Sequence, residues 1–524
     1  MIPLYSIQQV RSADDYGINK LKIPGVVLME NAAINIFHSI LEDFSCLTKD
    51  DVIGIVAGKG NNGGDGFALA RHFINNGYSV TVISIARENE LSGDAKTNYV
   101  ITKNLLIEVG RGKFIDYKNK SDLNKLSNCS VIVDALLGTG TKGNIREPFA
   151  SIISKLNSFN AFKVALDIPS GLDADKGSGK IVFEADLTIT LAEYKKGLFF
   201  GKGYLYAGNV VKGGIGLGEE FFESLSVGEF CIEPEDAFLA LPKKELDLHK
   251  YSAGKVLTVA GSSSLPGAAF LTAKSCFKTG AGSSVLAFPK SLKMLAQEKL
   301  DAATVVTYED GESGVLSGAN FTELKAKLLW ADVIAIGPGL GRADSTLECV
   351  REIIKGFTGK KFIIDADAIY ALSKKQYRKI NLSNSILTPH HKEFAEMLGI
   401  SIEELQEDLL KFGKKFCDET KSILVLKGAP TIIFNPDGYV FINTTGNQGM
   451  AKFGTGDVLT GVLAGLACQQ NDLGASAIAG VYIHGMAADL LMNEKTIYGF
   501  TAIDLLEKIP YAIKTLIDSF IREN

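Results

Sequence analysis

The chain has little to tie it together covalently, carry it into a membrane or hold it on a nucleic acid. Its seven cysteines (Cys46, Cys129, Cys231, Cys276, Cys349, Cys417, Cys468) are odd in number, far apart and form no CxxC. That excludes a disulfide framework or a zinc ribbon and reads as the reduced thiols of a cytoplasmic protein. Only 13 prolines are present, too few for a collagenous or proline-rich disordered chain. No run of about 20 apolar residues appears; uncharged stretches such as 256–273 are broken by Gly, Ser and Pro. The N-terminus, MIPLYSIQQVRSADDY, reaches charge before an apolar segment can form, so no secretory segment is expected. Basic charge is also missing: 55 Lys and Arg stand against 60 Asp and Glu, a net charge of -5, which removes the footprint of nucleic-acid or anionic-membrane binding. What is present is a 524-residue chain, 46% hydrophobic and 22% charged, long enough for two or three folded units that act on small molecules. Its 54 glycines lie in clusters.

After helical segments near 6–18 and 26–43, β-rich runs alternate with helical patterns: DVIGIVAG, YSVTVISIA, NCSVIVDALL, AFKVALDIPS and ADLTITLAE. Strands separated by single helices need right-handed crossovers, which predicts a doubly wound α/β unit with a mostly parallel sheet. Between 219 and 237 the pattern lapses into seven acidic residues with no Lys or Arg. Alternation resumes with GKVLTVAG, ADVIAIGPG, KKFIIDADA, NSILTPH and SILVLKGAPTII, followed by a long helical region from 455. The expected organisation is two unlike three-layer α/β/α domains, 1–218 and 241–524, joined by an acidic linker at 219–240.

In GKGNNGGDGFALARHF (58–73) a buried strand ends and a helix begins. Glycines let backbone approach a ligand, and the free N–H groups of a helix start attract anions, so a phosphate-bearing ligand is implied. Gly58, Gly60 and Gly63 spell GxGxxG. The NNGGDG insertion and the want of an acidic end to the next strand argue against ordinary dinucleotide redox binding. Asp65, Asp134 and Asp167 with Ser170 stand at strand ends and in the first loop, where open α/β sheets bind ligands. Carboxylate and hydroxyl oxygens suit a hard cation, and a single carboxylate among neutral oxygens suits one of low charge. Asp167 alone reads equally well as a turn-forming or capping residue.

In order, GNNGGDGFALARHF, VDALLGTGTKGNIREPF, LDIPSGLDAD and TITLAEYKKGL resemble the signature blocks of NAD(P)H-hydrate epimerase, a Rossmann-like family, over residues 1 to about 215. The resemblance implies that Asn61, Asn62, Gly63, Gly64 and Asp65, with Gly138, Thr139, Gly140, Thr141, Lys142, Gly143 and Asn144, hold a hydrated nicotinamide nucleotide. It makes Asp167 the substrate-contacting acid/base, and Asn62, Asp134 and Ser170 the ligands of K⁺. Lys195 matches a motif lysine whose role the resemblance leaves open.

A second cluster, GNQGMAKFGTGDVLTGVLAGL (446–466), has the form turn, glycine-rich loop, Asp, apolar helix. The N–H groups of Gly454, Thr455 and Gly456 can converge on a phosphoryl oxygen at the positive helix end, beside Asp457. That constellation suits phosphoryl transfer to an alcohol; Asp457 alone would also serve as a helix-capping residue. GTGD resembles the ribokinase-like superfamily. HKYSAGKVLTVAGSSSLPGAAFLTAKSCFKTGAG, AIGPGLGR, IDADAI, LTPHHKEFAEMLG and LKGAPTII together are similar to the ADP/ATP-dependent NAD(P)H-hydrate dehydratases. By that resemblance Ala268, Gly339, His390 and Asp457 contact the hydrated nucleotide, with Asp457 as catalytic base. Lys427, Gly428, Ala429, Pro430, Thr431, Asn447, Gly454, Thr455 and Gly456 surround ADP, which acts with Mg²⁺. His390 has a plainer reading as a loop histidine.

Two departures stand out. Where the family writes PHPGE and MA[TK]GGTGD, this chain has PHHKE and MAKFGTGD. Phe453 cannot adopt a glycine's positive φ without strain, so an altered backbone path is expected there. The resemblances imply a homo-oligomeric, bifunctional repair enzyme. It would interconvert the R and S forms of hydrated NADH or NADPH and dehydrate the S form at the expense of ADP, giving AMP and phosphate. The rivals are a ribokinase-like kinase of a vitamin-like alcohol and a non-catalytic nucleotide-binding first domain.

Overall fold

In the computed structural model, residues 1–140 and 145–521 are described. They form two units, Pro3–Glu229 and Met1–Ile2 with Phe230 onward.

The first unit is built on seven strands: β1 (Val52–Ala57), β2 (Ser79–Ser84), β3 (Gly112–Asp116), β4 (Val131–Ala135), β5 (Phe162–Leu166), β6 (Leu187–Leu191) and β7 (Asn209–Gly213). They are ordered β3-β2-β1-β4-β5-β6-β7 and all pair in parallel. Alternate side chains of β1 separate cleanly. Ile53 and Ile55 pack with Phe37, Phe67 and Phe73 on one face, while Val56 packs with Ile132, Ile152 and Leu156 on the other. Both faces are therefore covered, as a parallel sheet requires, and each fully buried Val or Ile contributes roughly 1.5–3 kcal/mol. The chain order reverses between β1 and β4. The crevice beyond their carboxyl ends is where such sheets bind ligands. The strands at 112–116 and 209–213 lie outside the runs picked out by hydrophobic pattern because their exposed and half-buried residues give a weak signal at the sheet edges.

The second unit carries β8 (Lys255–Val259), β9 (Ser283–Pro289), β10 (Thr304–Tyr308), β11 (Val333–Ile336), β12 (Lys361–Ile364), β13 (Ser385–Leu387), β14 (Ile423–Leu426), β15 (Thr431–Phe434) and β16 (Val440–Asn443). Their order is β16-β15-β14-β13-β12-β11-β8-β9-β10. Seven of them, β8 to β14, pair in parallel, and β15 and β16 are added antiparallel beyond β14. The apolar run SILVLKGAPTII is thus two strands, folded back at Lys427–Pro430. The helical region beyond 455 is three helices, Thr455–Ala467, Leu473–Gly499 and Ala502–Phe520, which share one core with the sheet. A Cβ at Gly461 would stand 2.2 Å from the Thr272 carbonyl oxygen. Glycine there lets helix Thr455–Ala467 lie directly on helix Pro266–Lys278, which fixes the start of the former above the sheet. Helix Leu473–Gly499 is apolar and long enough to cross a membrane by length and composition, yet its most apolar window is 72% buried inside the protein.

The 219–240 segment is no free tether. Phe222, buried on helix Glu220–Glu223, packs edge-on against Tyr5 at 5.4 Å within the first unit. Ala237, on helix Pro234–Leu239, lies in the core of the second. The apolar residues interspersed with its acids bury themselves, and the division between units falls at Glu229.

Candidate active sites

In the first unit the loop after β1 turns straight into helix Asn61–Asn75. A Cβ at Gly63 would lie 2.1 Å from the Gly58 carbonyl oxygen, and one at Gly58 would lie 1.9 Å from that of Leu136, so these glycines are needed for close approach of three backbone segments. Alongside them lies a cavity of about 1340 Å³, lined among others by Asn61, Asn62, Asp65, Gly138, Thr139, Gly140, Asp167 and Lys195. Thr141, Lys142, Gly143 and Asn144, also expected in the substrate loop, lie outside the described residues. Gly63 and Gly64 are buried in the first helical turn.

Asp167 has a φ of 67, a conformation costly for a side chain and concentrated at functional sites. Its Oδ1 accepts from the Leu191 N–H at 3.1 Å and pairs with the Lys195 ammonium at 2.6 Å. Lys195 is 1% exposed and also donates to the Leu191 carbonyl at 2.8 Å and the Thr190 hydroxyl at 3.1 Å. The carboxylate ties the turn, as the plainer reading of Asp167 has it, and it also lines the cavity. Burial, reinforced by the charges of Asp167 and Asp14, pushes the Asp65 carboxyl well above its ordinary range.

Asp134, at the end of β4, is fully buried and accepts from the Ser170 N–H at 2.8 Å, the Ser170 hydroxyl at 2.7 Å and the Leu136 N–H at 3.1 Å. Burial pushes its carboxyl up to about 6, against those hydrogen bonds. The Asn62 amide donates to the Leu137 carbonyl at 3.1 Å, while its Oδ1 is buried without a partner. Among the described residues no Lys or Arg pairs with the buried Asp134 carboxylate, and this, with the orphaned Asn62 oxygen, fits a monovalent cation. Asn62, Asp134 and Ser170 converge through the Leu136–Leu137 segment, since the Ser170 hydroxyl accepts from the Leu137 N–H at 2.9 Å. Among the described residues no group of three or more His, Cys, Asp or Glu could hold a metal ion. Arg11, which sequence reasoning missed, reaches the Thr139 hydroxyl at 3.3 Å from helix Ile7–Asp15. On a short amphipathic helix it reads as one more exposed charge.

In the second unit the helix Thr455–Ala467 starts at Gly454, whose φ of 94 makes the left-handed turn. Phe453 does not take a positive φ, so the strain expected at this departure is absent; the turn falls one residue later, and the Phe453 side chain is fully exposed. The helix has no side-chain cap, which removes the capping role for Asp457 and leaves the first N–H groups unclaimed by the helix itself. Two residues brace the loop from beneath. His484 Nε2 lies 2.9 Å from the Thr455 carbonyl oxygen, and burial pushes its imidazole down to about 4. Lys452 donates to the carbonyls of Tyr498 and Phe500 at 3.1 and 2.6 Å. Neither position carries a local signal in the sequence, because both act across chain separations of 29 to 48 residues.

Below the helix start Asp365, 1% exposed at the end of β12, pairs with Lys427 at 2.7 Å. It also accepts from the Thr388 and Thr460 hydroxyls, each at 2.8 Å. Burial and then the charge of Asp365 push the Asp457 carboxyl up to about 7, against the opposing Lys427. Lys427 opens the β14–β15 turn that includes Gly428, Ala429 and Pro430. A Cβ at Gly456 would lie 3.6 Å from its Nζ, so the expected donor-binding segments do meet. Gly339, with φ 66, places its Cβ position 3.0 Å from the Ala268 Cβ, which joins two of the expected substrate contacts. His390 caps helix His391–Leu398, its Nδ1 accepting from the Glu393 N–H at 3.2 Å, and its ring is half exposed. The plainer reading is therefore also satisfied. Asn447 accepts from the Gly449 N–H at 3.0 Å and donates to Asp489 at 2.9 Å, shaping the loop that precedes Gly454.

A family model described as NAD(P)H-hydrate dehydratase matches residues 256–511, and one described as YjeF-related protein N-terminus matches 25–197. The bifunctional NAD(P)H-hydrate repair enzyme Nnr of Moorella thermoacetica is 35% identical over 98% of this chain and 97% of its own. That of Coxiella burnetii is 32% identical over 96% and 98%. The crystal structure of an ADP/ATP-dependent NAD(P)H-hydrate dehydratase from Bacillus subtilis, co-crystallized with ATP/Mg²⁺, is 31% identical over 54% of this chain and 97% of that one, with a TM-score of 0.47. With nearly its whole length matched to such relatives, and both family models in sequence along it, the chain belongs to the bifunctional NAD(P)H-hydrate repair enzymes.

Proposed function

We propose that the first unit epimerises hydrated NADH and NADPH and that the second dehydrates the S form with ADP as phosphoryl donor, yielding AMP and phosphate. The observation that carries this reading is Asp457, free of any capping duty, in the first turn of a helix whose N–H groups are available to a phosphoryl group. In the hydrate, C6 of the nicotinamide ring bears a hydroxyl. Asp457 takes the hydroxyl proton, the oxygen forms its bond to the β-phosphorus of ADP, and AMP leaves with the electron pair. The C6–O bond then breaks with its pair going to phosphate, and loss of the C5 proton restores the double bond. Lys427 and the helix N-terminus stabilise charge developing on the phosphoryl oxygens. Mg²⁺ enters as part of the nucleotide substrate.

In the first unit Asp167, aimed by Lys195, passes a proton to the C6 hydroxyl, which leaves as water with the C6–O electron pair while the ring-nitrogen lone pair forms the C6 iminium. Water then adds to either face of the flat C6 and returns its proton to the Asp167 carboxylate. Asn61, Asn62, Gly63, Gly64 and Asp65, with the 138–144 loop, bind the nucleotide. Asn62, Asp134 and Ser170 would hold K⁺, which offsets the buried Asp134 charge and adds positive field for the nucleotide phosphates. These nucleotide substrates place the work in the cytoplasm. An alcohol kinase that releases its phosphorylated product is the weaker reading, because it leaves the Asp167–Lys195 cavity of the first unit without a purpose.

The decisive experiment mixes the protein with hydrated NADH and ADP and follows the reduced-nicotinamide absorbance. Recovery of both epimers as NADH, above an enzyme-free blank, is expected; no recovery with either ADP or ATP would sink the reading. Replacing K⁺ by a bulky organic cation at equal ionic strength is expected to slow epimerisation at least about tenfold, the loss of one charge-stabilising partner, and leave dehydration of purified S hydrate unchanged. Equal epimerisation rates in the two salts would remove K⁺ from the site.

A further inference from the structure

Four elements of the second unit meet beneath the start of helix Thr455–Ala467, and their central group is a residue given no role above. Asp365 takes one ammonium proton from Lys427 and one hydroxyl proton each from Thr388 and Thr460. All three partners donate, so the carboxyl accepts throughout. Thr460 stands three residues beyond Asp457 on the same helix, and residues three apart share a face. The Cβ position of Gly456, next to Asp457, lies 4.0 Å from Asp365 Oδ2 and 3.6 Å from Lys427 Nζ. The pair is therefore fixed on the face of the helix that bears Asp457.

We propose that Asp365 is a positioning residue for dehydration: it holds Lys427 beneath the proposed phosphoryl-binding helix start and sets the Asp365–Lys427 pair beside Asp457. This rests on the reading of Asp457 as the base.

The other charged or titratable groups around Asp457 are few. Asp367, on helix Asp367–Ala371, adds a like charge but is itself paired with Arg342 at 2.8 Å. Glu393 and His390, at the start of helix His391–Leu398, face Lys427 and each other. His484, from helix Leu473–Gly499, is kept neutral by burial. From helix Pro266–Lys278 the neighbour is Thr272, whose hydroxyl donates to the Asp457 backbone carbonyl at 3.1 Å. Asp365 and Lys427 are thus the charges placed to act on Asp457 from opposite directions.

The sign follows. A base works as its anion, so kcat for dehydration rises with pH through the Asp457 midpoint, which burial and the charge of Asp365 raise. Removing a like charge favours the anion and moves that midpoint to lower pH. The test measures kcat against pH on purified S hydrate with saturating ADP. Asp365→Asn is expected to move the acid limb down by about one pH unit, the size of effect a charge at this range produces, and to lower plateau kcat at least tenfold as Lys427 loses its anchor. Asp365→Glu keeps the charge and should hold the midpoint near its wild-type position. Lys427→Met should move the midpoint up and decides the matter if Asp365→Asn does not fold. A merely structural Asp365 would lower kcat and leave the midpoint in place in Asp365→Asn, and that result, or an unmoved midpoint in Lys427→Met, overturns the proposal. Absence of ADP-dependent turnover in the wild type would instead defeat the functional reading itself.

Discussion

Asp457→Asn is expected to lower kcat for dehydration of the S hydrate by about a thousandfold, the middle of the range for loss of a general base, with ADP affinity changed less than about threefold. The substitution is nearly isosteric. It removes the carboxylate proposed to accept the hydroxyl proton, and it leaves untouched the backbone N–H groups proposed to hold phosphate. Stability should rise slightly if it changes at all. Burial holds the carboxyl up near 7, so its folded-state midpoint lies above the unfolded one. A carboxyl raised in this way destabilises the fold as pH climbs through that window, where it must ionise in place, and an amide is free of that penalty. Single-turnover kinetics with calorimetric ADP binding on the same preparation separate the two effects. Turnover within tenfold of wild type would remove Asp457 from the chemistry, and a parallel loss of ADP binding would recast it as a donor contact. Epimerisation, housed in the other unit, should be unaffected.

For the first unit the large effect is expected at the Asp167–Lys195 pair. Asp167→Asn should reduce the enzymatic epimerisation rate by about a hundredfold or more, measured as R hydrate converted above the spontaneous background, while dehydration of purified S hydrate proceeds at the wild-type rate. Lys195→Met should reduce epimerisation comparably and in addition destabilise the unit by roughly 3–5 kcal/mol, because it strands a carboxylate whose partner was a nearly inaccessible ammonium. The double variant should recover part of that stability and none of the activity. This divergence separates a catalytic pair from a structural one: if the double variant regains epimerisation along with stability, the pair serves the fold alone.

Much of both sites is legible in the chain because strand-to-helix turns impose strong local chemistry. Gly58 and Gly63 let backbone pass backbone, and Asp457 follows Gly454 by three residues at a helix start; glycine clustering and spacing carry that much. Phe453 shows the limit of local reasoning. Its replacement of a glycine predicts strain, but the folded chain makes its left-handed step at Gly454 and leaves the Phe453 ring exposed to solvent. The SILVLKGAPTII run shows another, since its Lys-Gly-Ala-Pro break signals a turn but does not reveal that the chain returns antiparallel on its own strand.

The amino-acid sequence by itself determined two units with mostly parallel sheets, the glycine-rich turns at their strand ends, and the carboxylates Asp134, Asp167 and Asp457 at or beside those turns. Only the tertiary structure decided which charge meets which. The Asp167–Lys195 pair is joined across 28 residues around β6. Asp365–Lys427 is joined across 62 residues because β12, β13 and β14 lie side by side. Asn62 comes to Leu137 across 75 residues because β1 and β4 are neighbours at the point where strand order reverses. Local propensity acts over one turn or one strand, whereas the ionisation of a buried acid depends on the charges and desolvation that strand order brings within a few ångströms of it.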